Sequence, residues 1–216
     1  MNPSRHILQD FDAALHSLRA DVLMMASLTD RNLQNAMACL LDGNAELCAV
    51  AVADEEEIDE LEKKIDNDGV EILLRFQPVA SDLRRVISTM KVSANLERIA
   101  DQAVMVAQRA RKLTALPVLN DAHALGPMFM EATNLFRDSR DREIDQINHD
   151  IADDFSEKMA VHPERITDYV NLIFIARHLE RVGDHAKNIG EEAVYAAEAE
   201  DIRHRRAEVS AEEPAS

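Results

Sequence analysis

Tryptophan is absent, aromatic residues make up only 4% of the chain, and glycine (5) and proline (6) are scarce. Strands favour aromatic and β-branched side chains, and tight hairpins call for glycine. A sheet-based fold is therefore excluded. Positive charge is also in short supply: 24 Lys and Arg stand against 41 Asp and Glu, for a net charge of −17. Binding a nucleic-acid backbone requires basic groups that displace its counterions, so no nucleic-acid partner is expected. Such a surface suits cations or basic partner surfaces. No stretch approaches the ~20 apolar residues of a membrane span. The opening MNPSRHILQDFD lacks the apolar run of a secretory signal. A cytoplasmic protein without membrane insertion is the expectation. The only cysteines, Cys39 and Cys48, sit among Ala, Leu and Val. In a reducing compartment they read as small buried hydrophobes, with a disulfide or metal role as the lesser reading. No nucleophile–base pair or glycine-rich phosphate loop is present, which argues against an enzyme.

What is there is Ala, Leu, Glu, Asp and Arg in quantity, with an apolar share of 46%. That is enough for a real core, and the composition points to an all-α protein. Proline and glycine divide the chain into helices. Ser4 can cap a helix reaching about Leu41, with Asp42-Gly43-Asn44 as its exit turn. A second helix is expected from about Ala45 to Phe76, and a third from Ser81-Asp82 to about Leu113. Pro117 and Gly126-Pro127 bracket a linker. A further helix can begin at Pro127, and the last runs from about Ile166 to Ala199.

Two stretches repeat. Leu96-Glu97-Arg98-Ile99-Ala100-Asp101 matches Leu179-Glu180-Arg181-Val182-Gly183-Asp184 at an offset of 83 residues. EEEIDELEKKI matches DREIDQINHDI at an offset of 86. The chain thus reads as a tandem duplication. Each matching segment carries acids at i, i+4: Glu55/Asp59, Glu97/Asp101, Asp141/Asp145 and Glu180/Asp184. That spacing puts both members on one helical face, a turn apart. In the last helix the apolar stripe is Leu172, Ile175, Leu179, Val182, Ala186 and Ile189, and Glu180 and Asp184 project away from it. Two acids one turn apart repel, and a cation removes that penalty. Oxygen-rich donor sets without cysteine suit Mg, Ca, Mn or Fe. A solvated acidic face is the plain reading of any single pair; four pairs at equivalent repeat positions favour a cation role. Gly183 and its counterpart Ala100 suggest close passage of another helix, because glycine inside a helix costs ~1 kcal/mol against alanine. His185 can ligate a metal or donate to a carboxylate, yet reads first as a surface group, and His178 reads so more strongly.

FQPVASDLRRVISTMKVSANLERIADQA and NLIFIARHLERVGDHAKNIGEEAVY closely resemble the PhoU family of phosphate-uptake regulators, over roughly residues 5 to 204. The resemblance implies two tandem three-helix bundles, here 1–115 and 116–204, followed by a polar tail, 205–216. It implies a cytoplasmic, often dimeric regulator that represses the phosphate-starvation response. The implied partners are the ATPase subunit of a phosphate ABC transporter and a sensor histidine kinase. It further implies bound divalent or trivalent metal ions (iron, zinc, manganese or magnesium), held by Glu55, Asp59, Glu97, Asp101, Asp141, Asp145, Glu180 and Asp184.

One departure is large. Asp30 and Glu55 are 25 residues apart, whereas Asp138, in the counterpart helix, is only three residues from Asp141. Either a deletion fuses two helices into one from about Pro127 to Met159, or a segment is missing between Ser139 and Asp141. The second is preferred, because MEATNLFRDS would otherwise lose its packing partners. Two other function classes compete with the regulator. A metal-free helical scaffold is one. A ferritin-like di-iron carboxylate enzyme is the other, but it needs Glu-x-x-His motifs facing the bundle interior, and no Glu here has His at i+3.

Overall fold

The computed structural model describes residues 3–113, 120–134 and 142–198, with side chains described from residue 9 and, in the last segment, from residue 149. It is all helical, with no strand among the described residues. Three long helices, α1 (Pro3–Asp42), α2 (Ala45–Phe76) and α3 (Ala80–Ala110), form the first bundle. The second, over its described residues, is shorter in two of its three members: α4 (Gly126–Asn134), α5 (Arg142–Val161) and α6 (Ile166–Glu198). Single 3₁₀ turns at His123–Leu125 and Pro163–Arg165 lead into α4 and α6.

The turns explain the boundaries. Gly43 takes a left-handed φ of 64° between α1 and α2, a conformation that costs glycine nothing. Asn44 then caps α2, its side chain accepting from the backbone N–H of Glu46 and Leu47. At the far end Gln77 closes α2 in the left-handed region, returning its N–H to the Leu73 carbonyl. α4 packs against α5, which two stretches of one continuous helix could not do. The expected alternative of one fused helix from Pro127 to Met159 is therefore corrected; the second bundle keeps three helices, with the first two shortened.

Two apolar cores result. One joins the first half of α1 (Leu15, Leu18, Met25) to Ile58, Ile65 and Ile72 of α2 and Val86 and Leu96 of α3. The other collects the second half of α1, the start of α2 and the second half of α3 together with Leu125, Met128, Phe155, Tyr169, Leu172 and Leu179. The second core thus draws on both repeats. The helices carrying the duplicated Leu-Glu-Arg motif, α3 and α6, make the most extensive helix–helix contact among the described residues. Ala100 and Gly183 are both buried, as the small-residue pattern suggested.

The cysteines correct an expectation. Both are buried, but they are joined in a disulfide, Cα atoms 5.2 Å apart. Cys39 lies one turn before the end of α1 and Cys48 one turn after the start of α2, so the tight turn at Gly43 brings them face to face.

Candidate functional site

The acids of the first repeat meet across the α2–α3 groove. Ile58, Ile65 and Ile72 sink into the core. Glu55, Asp59 and Glu62, at i, i+4 and i+7, ride half-buried on the flank of that stripe. On α3 the core residues Leu96 and Ile99 are flanked in the same way by half-buried Glu97 and Asp101. The two flanks feel one another. Burial raises the Glu55 carboxyl above its ordinary value, and Asp59 on its own helix and Asp101 on the other raise it further. Burial likewise pushes Glu97 up to about 7, with Asp101 adding to it, Arg98 opposing, and Glu62 and Asp59 of α2 contributing from across the groove. Glu62 is raised by burial and by Asp66 and Asp59. Glu62 escaped the sequence reading, although its i+7 spacing from Glu55 was a usable signal.

Arg98 sits beside this cluster, donating to Asp101 at 3.3 Å. Its Nε is also 3.3 Å from Glu97 Oε2, yet that oxygen is buried without a hydrogen-bond partner. The ion-pair distance is short but the N–H is not aimed at the oxygen. A buried carboxylate oxygen without a donor is costly, and it is the kind of atom a cation would satisfy. The chemistry of the donor set therefore fits a hard cation. The side chains as they stand do not converge: among the described residues no group of three or more His, Cys, Asp and Glu is close enough to hold one.

Asp54, next to Glu55, is not a candidate ligand. It is buried and held by Arg31, whose Nη2 lies 2.6 Å from Oδ1 and Nε 3.2 Å from Oδ2, with Asn35 adding a third donor. This clamp fixes α2 against α1 at the register that presents Glu55 and Asp59. A single Asp in an acidic run gives no hint of it; the partner is 23 residues away.

In the second repeat Glu180 is half-buried and Asp184 exposed, one turn apart on α6. Asp141 and the side chain of Asp145 lie outside the described residues, so the meeting of these two pairs lies outside them as well.

Between the repeats runs a polar seam. α3 and α6 are antiparallel, with partners pairing in descending order. Ser88 and Lys91 donate to Glu192 (3.4 and 3.0 Å), and Asn95 meets His185 Nδ1 at 3.0 Å and accepts from Asn188. Gln102 meets His178 Nδ1 at 2.9 Å, and Arg109 donates to Asn171 at 3.2 Å. His178 is therefore not the surface group expected of it: it is 6% exposed. Burial, with Arg109 and Arg181 nearby, lowers it to about 4, so it is neutral at physiological pH. His185 is lowered by burial and by Arg98 and Arg181, against the opposing pull of Asp184 and Asp101. His178 sits at the edge of the apolar stripe of α6, three residues after Ile175 and four before Val182, and Gln102 and Arg109 of α3 lie against it.

The fold and its acid-lined groove define a class: all-helical tandem bundles built around a duplicated Leu-Glu-Arg helix. The PhoU domain model matches residues 22–110 and 135–193, and the chain belongs to the PhoU family. It is 33% identical to the phosphate-specific transport system accessory protein PhoU homolog of Pseudomonas aeruginosa, over 93% of this chain and 90% of that protein. It is 28% identical to the phosphate-specific transport system accessory protein PhoU of Escherichia coli, over 94% and 92% respectively. The crystal structure of PhoU from Pseudomonas aeruginosa superposes with a TM-score of 0.76 at 30% identity, covering 88% of this chain and all of that one. Proteins of this family are regulatory accessory proteins, not enzymes. Among the described residues no helix is long and apolar enough to cross a membrane.

Proposed function

We propose that this protein is a cytoplasmic accessory regulator of phosphate uptake that represses the phosphate-starvation response through protein partners. The observation that carries the reading is the family match across both repeats, with relatives named as accessories of phosphate-specific transport. The partners proposed are the ATPase subunit of a phosphate ABC transporter and a sensor histidine kinase, with a homodimer as the working form. A net charge of −17 supports basic docking surfaces on those partners. The test is genetic. Deleting the gene in the source organism should switch on phosphate-scavenging genes in phosphate-rich medium. Unchanged expression would contradict the regulator reading.

The acid faces are proposed as cation sites, the first formed by Glu55, Asp59, Glu97 and Asp101. The second is proposed for Glu180 and Asp184 with Asp141 and Asp145. A bound metal ion would supply the positive charge that lets these carboxylates stay ionised side by side. The chain's own part is to hold the pairs on adjacent helices and to keep Glu97 half-protonated near pH 7, ready to give up its proton on binding. Release of protons on titration with Mn²⁺ at pH 7, absent in Glu97→Gln, would support this. The competing reading is a metal-free helical scaffold, favoured by the lack of three-donor convergence among the described residues. Elemental analysis of the purified protein separates the two.

A further inference from the structure

We propose that Cys39 and Cys48 are a reversible thiol–disulfide couple, a redox-controlled staple across the α1–α2 turn. The Cα atoms are 5.2 Å apart, inside the range an unstrained bridge requires. Both residues belong to the core shared by the two repeats, alongside Ala107, Ala110, Met128 and Phe129. The fold accommodates either state. Reduced, the two thiols are small apolar groups in an apolar core. The hairpin end is also held without the bond: Asn44 caps α2, Asn32 donates to the Ala51 carbonyl, and Arg31 clamps Asp54. Reagents reach the pair from the turn above it, where residues 42–46 are exposed, so exchange needs only a local opening of the hairpin tip.

The chemistry balances with a peroxide as oxidant and a dithiol as reductant. One cysteine thiolate attacks the O–O bond of hydrogen peroxide, giving a sulfenic acid and hydroxide, which takes up the thiol's proton as water. The second thiol sulfur attacks the sulfenic sulfur, closing the S–S bond and expelling a second water. The sulfurs lose two electrons together and the peroxide gains them. In the reverse direction a dithiol sulfur attacks one cysteine sulfur, and the dithiol's second sulfur then displaces that cysteine. The reagent leaves as its own disulfide and both cysteines return as thiols.

The test uses the full chain. It is treated with hydrogen peroxide or with dithiothreitol, unfolded in denaturant, alkylated, and weighed intact. After peroxide neither cysteine should be alkylated, and the chain should weigh two hydrogens less than its unalkylated reduced form. After dithiothreitol both should be alkylated, and the change should cycle. Because the bridge joins residues 9 apart in sequence, the oxidised form should melt roughly 5–10 °C higher than the reduced one. The double variant Cys39→Ala/Cys48→Ala should show no such difference between the two treatments. Alkylation of both cysteines after peroxide, gain of oxygen instead of loss of hydrogen, a disulfide-linked dimer, or a melting difference that survives in the double variant would each overturn the proposal.

Discussion

The two repeats differ less in what they carry than in how much helix they use to carry it. Among the described residues α3 has 31 and α6 has 33, but α1 has 40 against 9 in α4, and α2 has 32 against 20 in α5. Over the described residues the helices that form the inter-repeat seam match in length, and the shorter outer helices are those of the second repeat. Burial follows. Ala103, Val106, Ala107 and Ala110 of α3 are all buried, whereas their counterparts Ala186, Ile189, Gly190 and Ala193 pass from buried through half-buried to exposed along α6. The lesson is physical: the seam is the common element, and each bundle needs only enough of its outer helices to close the core on that seam.

The largest effects should come from the core faces of the two seam helices. Leu96 and Leu179 occupy equivalent places and are 1% and 0% exposed. Leu96→Ala and Leu179→Ala should each cost about 2–5 kcal/mol of stability by denaturant titration. Similar costs would show that the two repeats use this position alike, each to anchor its seam helix in a core. A cost for Leu179→Ala below ~1 kcal/mol would break the comparison and make α6 a peripheral helix.

Next come two opposing pH effects, one from each seam helix. Glu97 has its folded pKa raised from 4.5 to about 7, so the fold binds a proton that the unfolded chain has released. Its burden is fully present above pH 7 and relieved as pH falls through 7 toward 4.5. Glu97→Gln should therefore stabilise the metal-free protein at pH 8 by up to ~3 kcal/mol and leave it unchanged near pH 4. His178 has its folded pKa lowered from 6.5 to about 4, so the unfolded chain takes up a proton that the fold refuses. Stability is lost as pH falls from 6.5 to 4, and His178→Gln should flatten that slope. With both residues present the two slopes partly cancel between pH 4.5 and 6.5. Denaturation midpoints across pH for the wild type and both variants read the effects separately; parallel profiles would contradict both assignments.

Smaller still is the clamp beside the first acid pair. Asp54→Asn keeps the shape but removes the charge facing Arg31, which is 53% exposed. The expected cost is about 1–2 kcal/mol, read as a shift in the urea midpoint with unchanged slope. No change would mean that Arg31 finds an equal partner in Glu57, 3.9 Å away.

Much of this fold was legible in the sequence. The bounds of α2 follow from Asn44 and Pro78, and α1 and α6 end within a residue or two of expectation, because helix termini are local chemistry. The apolar stripes gave the buried isoleucines of α2 for the same reason. What was not legible depends on pairing between distant segments. His178 is buried by α3, Asp54 is clamped by a residue on α1, and the cysteines meet only because a left-handed glycine turns the chain back on itself. Of the candidate site, the first-repeat acids were readable from their spacing, and the structure brings them onto facing flanks. Their raised pKa values were not readable, since they come from burial and from charges on the opposite helix.

The proposed cation site, formed by the acids facing each other across α2 and α3, stands against the plain alternative of a solvated face. Metal content decides it. Purified wild type and the variant Glu97→Gln/Asp101→Asn are loaded with Mn²⁺, desalted and analysed for bound metal, with circular dichroism as the folding control. The account predicts that the wild type retains metal and that the variant loses the first-repeat share of it at unchanged helicity. Equal metal content in two correctly folded proteins would contradict it.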